Sequence, residues 1–270
     1  MSDSPLSIHH LRRGSGPPLL LVHGLGSSIE SWSPIMDGLA AHRTVIAPDL
    51  PGHGRTPALS EETVAATADV LEGWMREQGL EDVDMAGSSM GARLVLEMAR
   101  RGLGRDVVAL DPGGFWTDVQ AKVFHSTLFA SVKLVRAIRG ALPILLGNPV
   151  TRTALLGQFS AAPWRLDADY ALSEMRGIAD TESFFPLLDD LAHGPRQQGM
   201  PRGAARGRQT LVWGRRDLVT PGSQSDTATD RFPDADLVWI DGCGHFPHWD
   251  QPETTLDLLL SRTGSDEPAA

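Results

Sequence analysis

Short apolar runs alternate with longer stretches of three- and four-residue hydrophobic spacing through the front half of the chain. Leu6-Ser7-Ile8, Pro18 to Val22, Thr44 to Ala47, Val83 to Ala86 and Val107 to Leu110 predict strands. The later runs are nearly continuous in apolar character, the pattern of strands buried on both faces of a parallel sheet. Between them, Val64, Ala68, Leu71 and Met75 fall on one helical face, with Ser60 as the expected N-cap and Glu61 and Glu62 in the first turn. Leu94, Val95 and Met98 mark a second helix from Met90 to Arg101, ended by Gly102 and Gly104, which tolerate positive φ. This alternation predicts a parallel sheet with helices on both faces.

The rhythm then changes. Thr117 to Ala192 carries helical spacing, with breaks at Gly140, Pro143, Gly147-Asn148-Pro149 and Ala162-Pro163. The next expected strand is Thr210 to Trp213, reached through a Gly-, Pro- and Arg-rich stretch, Gly194 to Gln209, that reads as an exposed connection. A helix over Ser223 to Phe232, a strand over Leu237 to Ile240 and a terminal helix over Pro252 to Arg262 complete the pattern. The chain thus divides into a first core segment, 1–116, a helical insertion, 117–200, a second core segment, 201–264, and a flexible polar tail, 265–270.

Composition narrows the function classes. A hydrophobic fraction of 41% with 21% charged residues is that of an ordinary globular protein. The formal charge of −10 disfavours nucleic acid and anionic membrane surfaces as partners. Cys243 is the single cysteine, which excludes an intrachain disulfide and fits a cytoplasmic location. Met1 to Pro5 carry neither a basic n-region nor an apolar run, so no secretory leader is expected. The most apolar stretch, Phe124 to Gly147, is interrupted by Lys133, Arg136 and Arg139, so no membrane span is expected. Phosphate loops, dinucleotide fingerprints and metal-ligand spacings are missing from the sequence, and no cofactor or metal is expected.

The sharpest chemical signal is Gly87-Ser88-Ser89-Met90-Gly91, a G-x-S-x-G turn between a predicted strand and a predicted helix. So tight a turn brings the residues two positions either side of the serine close together, and glycine there relieves the clash while Ser89 stays accessible. A serine hydroxyl needs a base to become a nucleophile. His245, in the glycine-rich loop Gly242 to Phe246 after the last strand, is the candidate, with His248 as the rival. Asp217, after the Thr210–Trp213 strand, is the candidate orienting carboxylate, and Asp111, after the Val107–Leu110 strand, is held in reserve. For a developing oxyanion, the backbone N–H groups of Leu25 and Met90 are the expected donors.

The set His23-Gly24-Leu25-Gly26, Asp49-Leu50-Pro51-Gly52-His53-Gly54, Gly87 to Gly91, Asp217 and Gly244-His245 strongly resembles the α/β-hydrolase superfamily, over about Leu6 to Arg262. The resemblance implies an α/β fold with a mostly parallel eight-stranded sheet flanked by helices and an inserted helical cap. It also implies a structural role for the loop Asp49 to Arg55. There are departures. Ala92 stands where many relatives have a second glycine. Ser89 in place of an aspartate disfavours dehalogenase and epoxide-hydrolase chemistry. Gly26-Ser27-Ser28-Ile29 differs from the Gly-Pro-Gly-Ala run usual in meta-cleavage C–C hydrolases.

Trp32, Phe115, Trp116 and Trp164 are expected pocket residues, although aromatics more often serve the core. Arg165 reads as a solvated arginine and Cys243 as a packing residue. The expectation is a serine hydrolase acting on a carboxylic ester, thioester or lactone, with a small-molecule substrate that has a hydrophobic part. A cofactor-free C–C hydrolase, lyase, cyclase or perhydrolase on the same scaffold is the alternative, and a non-catalytic binding protein ranks below it. Oligomeric state is not legible.

Overall fold

The computed structural model describes residues 6–264, so the expectations for Met1 to Pro5 and for the tail 265–270 lie outside the described residues. Seven strands are found in them: β1 (His10–Arg13), β2 (Pro18–Val22), β3 (Thr44–Pro48), β4 (Asp84–Ser88), β5 (Val107–Leu110), β6 (Gln209–Gly214) and β7 (Asp236–Ile240). They form one sheet in the order β1-β3-β2-β4-β5-β6-β7. Only β1 runs antiparallel, against β3; every other pairing is parallel. The sheet is thus mostly parallel as expected, with seven strands where the resemblance implied eight.

The strands are buried on both faces, and alternate residues separate the two cores. Leu20 and Val22 of β2, Met85 of β4 and Ala109 of β5 pack on one side. Leu19, Leu21, Ala86 and Val108 pack on the other. Helices α2 (Val64–Glu77) and α3 (Met90–Arg100) cover the first face, while α1 (Ser33–Ala40) and α11 (Pro252–Arg262) cover the second. Two local expectations are corrected. The first strand is His10–Arg13, not Leu6 to Ile8, because an edge strand is held by backbone pairing and needs no apolar run; Ile8 is buried in the core instead. Thr63, not Ser60, caps α2, its hydroxyl accepting the Ala66 N–H at 3.1 Å.

Between β5 and β6 the described residues form five α-helices and no strand: α4 (Asp118–Ala137), α5 (Leu142–Gly147), α6 (Pro149–Leu156), α7 (Ala168–Asp180) and α8 (Phe184–His193). Thr117 and Gln120 make a capping box at the start of α4. Asn148 caps α6 just before Pro149. The connection that follows is not wholly exposed. Gln197 and Met200 are buried, and Gly199 passes against the Arg231 carbonyl, so that the longest run of the connection without a buried residue is 201–208. The short helices α9 (Ser225–Arg231) and α10 (Pro247–Asp250) flank β7. No helix among the described residues is long and apolar enough to cross a membrane.

The strand order reverses at β2, which has β3 on one side and β4 on the other. Loops leaving the carboxyl ends of β2 and β4 therefore diverge to opposite faces and open a crevice between them. Leu25 follows one end and Ser89 the other.

Candidate active site

Ser89 links β4 to α3 with φ 56 and ψ −113, a conformation that costs a non-glycine residue on the order of 1–3 kcal/mol. The surroundings enforce it. A Cβ on Gly91 would lie 2.0 Å from the Val22 carbonyl oxygen, and one on Gly87 would lie 2.3 Å from that of Gly91. The Ser89 N–H donates to the Leu110 carbonyl at 2.9 Å, and its own carbonyl accepts the Arg93 N–H of α3. The side chain stays half-buried, with its hydroxyl directed at a histidine.

That histidine is His245. Its Nε2 lies 2.9 Å from Ser89 Oγ, and its Nδ1 lies 2.9 Å from Asp217 Oδ2. The network assigns the tautomer: Nδ1–H donates to the carboxylate, leaving Nε2 to accept from the serine. Both oxygens of Asp217 accept hydrogen bonds. Oδ1 accepts the Val219 and Thr220 N–H groups, and Oδ2 accepts the Thr220 hydroxyl at 2.6 Å as well as His245. Burial pushes this carboxyl up, but the charge and hydrogen bond of His245, with Thr220, outweigh burial and hold it below its ordinary value.

The histidine loop is fastened at several points. The His245 N–H donates to the Phe159 carbonyl at 2.8 Å. The Asp250 carboxylate of α10 accepts the N–H groups of Gly244 and Ala161, both at 2.7 Å, and the Ser160 hydroxyl. Asp250 thus ties the loop to the segment between α6 and α7, and Thr220 braces Asp217. Neither had a sequence signal beyond its nearness in the chain to an expected site residue. His248, the rival base, is buried away from Ser89: its Nε2 meets Ser31 Oγ at 3.1 Å and its ring lies on Trp32. Burial, then the nearby His245, lower its pKa to about 3. Cys243 is buried with its thiol on the Gly244 carbonyl, and burial drives its pKa up.

His23, after β2, is locked by two bonds. Its Nε2 accepts the Leu50 N–H at 2.9 Å, so Nδ1 carries the proton toward the Gly24 carbonyl at 2.8 Å. The Asp49 carboxylate accepts the N–H groups of Ile29 and Arg55 and pairs with His9. These buried bonds brace the turn that carries Leu25. Met90 is the first residue of α3, so its N–H belongs to the helix start, where intrahelical acceptors are lacking.

Ser89 and His245 border a cavity with about 30 Å³ of free volume. Leu25, Val219 and Phe246 line its sheet side; Phe124 and Leu128 of α4, Phe159, Ile178 of α7, and Phe184 and Leu191 of α8 line the rest. None of the four expected pocket aromatics is among these. Trp32 is wholly buried in the core on the opposite sheet face. Phe115 packs edge-on against Trp213 and Phe232. Trp116 stacks behind Phe124 at 4.5 Å, one layer from the cavity. Trp164 is half exposed on the surface, beside the exposed Arg165. Aromatic character marks burial; it does not say which face of the packing meets the site.

Two groups of three His and Asp side chains converge among the described residues. Asp111, Asp217 and His245 are buried and bonded to one another or to neighbouring N–H groups. His125, Asp189 and His193 lie partly exposed across α4 and α8, where Asp189 pairs with both histidines.

A family model described as the alpha/beta hydrolase family matches residues 19–258. An uncharacterised protein of Mycobacterium tuberculosis is 25% identical, over 97% of this chain and 81% of its own length. A 2-hydroxy-6-oxo-6-phenylhexa-2,4-dienoate hydrolase of Burkholderia cepacia is 23% identical, over 96% of this chain and 93% of its own. The structure of a thermophilic esterase from Thermogutta terrifontis matches with a TM-score of 0.75 at 21% identity, covering 97% of this chain and 94% of that one. At that identity the last likeness concerns the fold.

Proposed function

The chain belongs to the alpha/beta hydrolase family, and from that premise we propose that it is a serine hydrolase acting on a carboxylic ester, thioester or lactone. The observation that carries this reading is the unbroken hydrogen-bonded line from Ser89 Oγ through His245 to Asp217, with both links at 2.9 Å. In the reaction His245 Nε2 takes the Ser89 proton as the oxygen attacks the carbonyl carbon, and Asp217 stabilises the imidazolium. The backbone N–H groups of Leu25 and Met90 receive the oxyanion. Collapse expels the alcohol or thiol with the proton from His245, and a water deprotonated by the same imidazole then frees the acid.

The apolar lining from α4, α7 and α8 favours a substrate with a hydrophobic acyl or alcohol part. The free volume of about 30 Å³ holds little more than water. Substrate entry therefore requires the helical segment, 117–200, to shift as a cap over the site. The likeness to the phenylhexadienoate hydrolase supplies a second reading, carbon–carbon hydrolysis; Gly26-Ser27-Ser28-Ile29 argues against it.

Fluorophosphonate labelling with peptide mapping, beside p-nitrophenyl ester and dienoate assays, tests both readings. Adduct on Ser89 with ester turnover is the expected result. Folded protein that neither labels nor turns over esters overturns the proposal.

A further inference from the structure

Asp111 stands at the strand ends beside the triad, yet the mechanism above does not use it. The registers pair Ser88 with Leu110 and Leu110 with Val212, so Asp111 emerges between Ser89 and the loop that bears Asp217. It is completely buried. Its backbone has φ 48, in the left-handed region that few residues besides glycine, asparagine and aspartate enter. Oδ1 accepts the Gly214 N–H at 2.8 Å, whereas the equally buried Oδ2 has no hydrogen-bond partner. One ligating atom each of Asp111, Asp217 and His245 lies within 4.8 Å of the other two.

Two carboxylates this close, away from water, do not both ionise. A single proton removes the conflict and gives Asp111 Oδ2 a role, as a donor toward Asp217. The donor inventory decides where that proton stays. Asp217 accepts two N–H groups, the Thr220 hydroxyl and the imidazole, whereas Asp111 accepts one N–H. The charge therefore rests on Asp217 and the proton on Asp111. Burial, then the Asp217 charge, with a smaller contribution from Asp250, push the Asp111 carboxyl well above the ordinary carboxylate range, which agrees with this placement.

We propose that Asp111 and Asp217 hold one negative charge between them, with Asp111 a neutral carboxylic acid that donates to Asp217 and positions it on His245. The role in turnover rests on the serine-hydrolase reading. When Asp217 is removed, its like charge goes with it, while the burial of Asp111 remains. The imidazolium that forms in turnover then draws the Asp111 proton off, and Asp111 serves as the carboxylate beside His245.

A double-mutant cycle on ester turnover, with infrared spectroscopy of the same proteins, tests this. D111A is expected to lower kcat/KM by about tenfold or more. D111N should recover most of that loss, since a carboxamide both accepts from Gly214 and donates to Asp217. D217A is preferred to D217N, because a carboxamide beside His245 could hold the wrong imidazole tautomer. It should keep activity that D111N/D217A lacks by about tenfold or more. Recorded with E174Q as background, since Glu174 is the other buried carboxyl raised toward neutrality, the C=O stretch of a protonated carboxylic acid should be present with Ser89 intact and with S89A, and lost when D111N is added. Equal activity of D217A and D111N/D217A, or absence of that band, overturns the proposal. If D217A fails to fold, the contrast between D111A and D111N and the band carry the test. If the wild type shows neither turnover nor Ser89 labelling, the hydrolase reading falls, and the band alone decides whether Asp111 carries a proton.

Discussion

The walls of the site are built on opposite principles. On the sheet side, Ser89, Asp217 and His245 follow the ends of three parallel strands, and directional bonds hold each in place. Ser89 keeps a strained backbone because glycines and close carbonyls leave no alternative. On the helical side, Phe124, Leu128, Ile178, Phe184 and Leu191 present apolar surface without a hydrogen bond to fix them. That segment also carries most of the exposed large apolar side chains among the described residues, including Val119, Ile144 and Val150. Each wall suits the task that the proposed function gives it: charge development needs geometry held to fractions of an ångström, whereas apolar recognition needs only area and shape.

If the division is sound, substitutions on the two sides should fail differently. Ser89→Ala should cut ester turnover on the order of 10⁴-fold or more while leaving the thermal midpoint near that of the wild type. Comparable turnover by the variant would dissolve the contrast, because the strained residue would then have no chemical purpose. Gly91→Ala should fail by stability instead. Its Cβ would lie 2.0 Å from a backbone oxygen that cannot yield, so a loss of about 4 kcal/mol or more is expected in denaturant unfolding.

On the helical side, Phe184→Ala should cost about 3 kcal/mol of stability through the cavity it leaves. Its kinetic signature should be a shift in KM toward longer acyl chains, with kcat for short esters changed by less than about tenfold. A uniform collapse of kcat across chain lengths would show that the helical wall also sets catalytic geometry.

The pH dependence of stability should separate the walls as well. His53 and His248, buried on the core side, have pKa values lowered to about 3, chiefly by burial. Unfolded histidines take up protons that these refuse, so stability should fall as pH drops from about 6.5 toward 3. Glu174 of α7, buried against Ser27, is raised to about 7 by burial. The unfolded chain releases that proton first, so stability should fall as pH rises from about 4.5 through 7. Thermal midpoints across pH should show E174Q abolishing the decline between about 4.5 and 7, worth on the order of 3 kcal/mol, and leaving the one that the histidines cause. Smallest of all, Trp164→Ala should change stability by less than about 0.5 kcal/mol and leave ester turnover unaltered, because the ring stands half exposed away from the cavity.

The strands β2 and β5 were legible to the residue, since a run buried on both faces leaves a continuous apolar signature. The edge strand β1 was not, because its partner bonds to backbone that any sequence provides. Ser89 lies more than a hundred residues along the chain from Asp217 and His245; the three were nominated singly and are brought together at hydrogen-bonding distance. The pocket aromatics were misplaced. Trp32 and Phe124 look alike in sequence, and only the docking of α4 against the sheet puts Phe124 beside Ser89.

Whatever depends on neighbours along the chain could be read before the chain was folded. The elbow needs glycines two residues either side of its serine, and the strand needs its apolar run. Folding had to decide which histidine meets the serine, which side chains close the cavity, and that Asp111 lies buried beside Asp217. Those outcomes depend on distances and dielectric surroundings created when distant segments pack. No local pattern encodes them, because the interaction of two charges follows their separation in space and the water between them, not their separation in sequence.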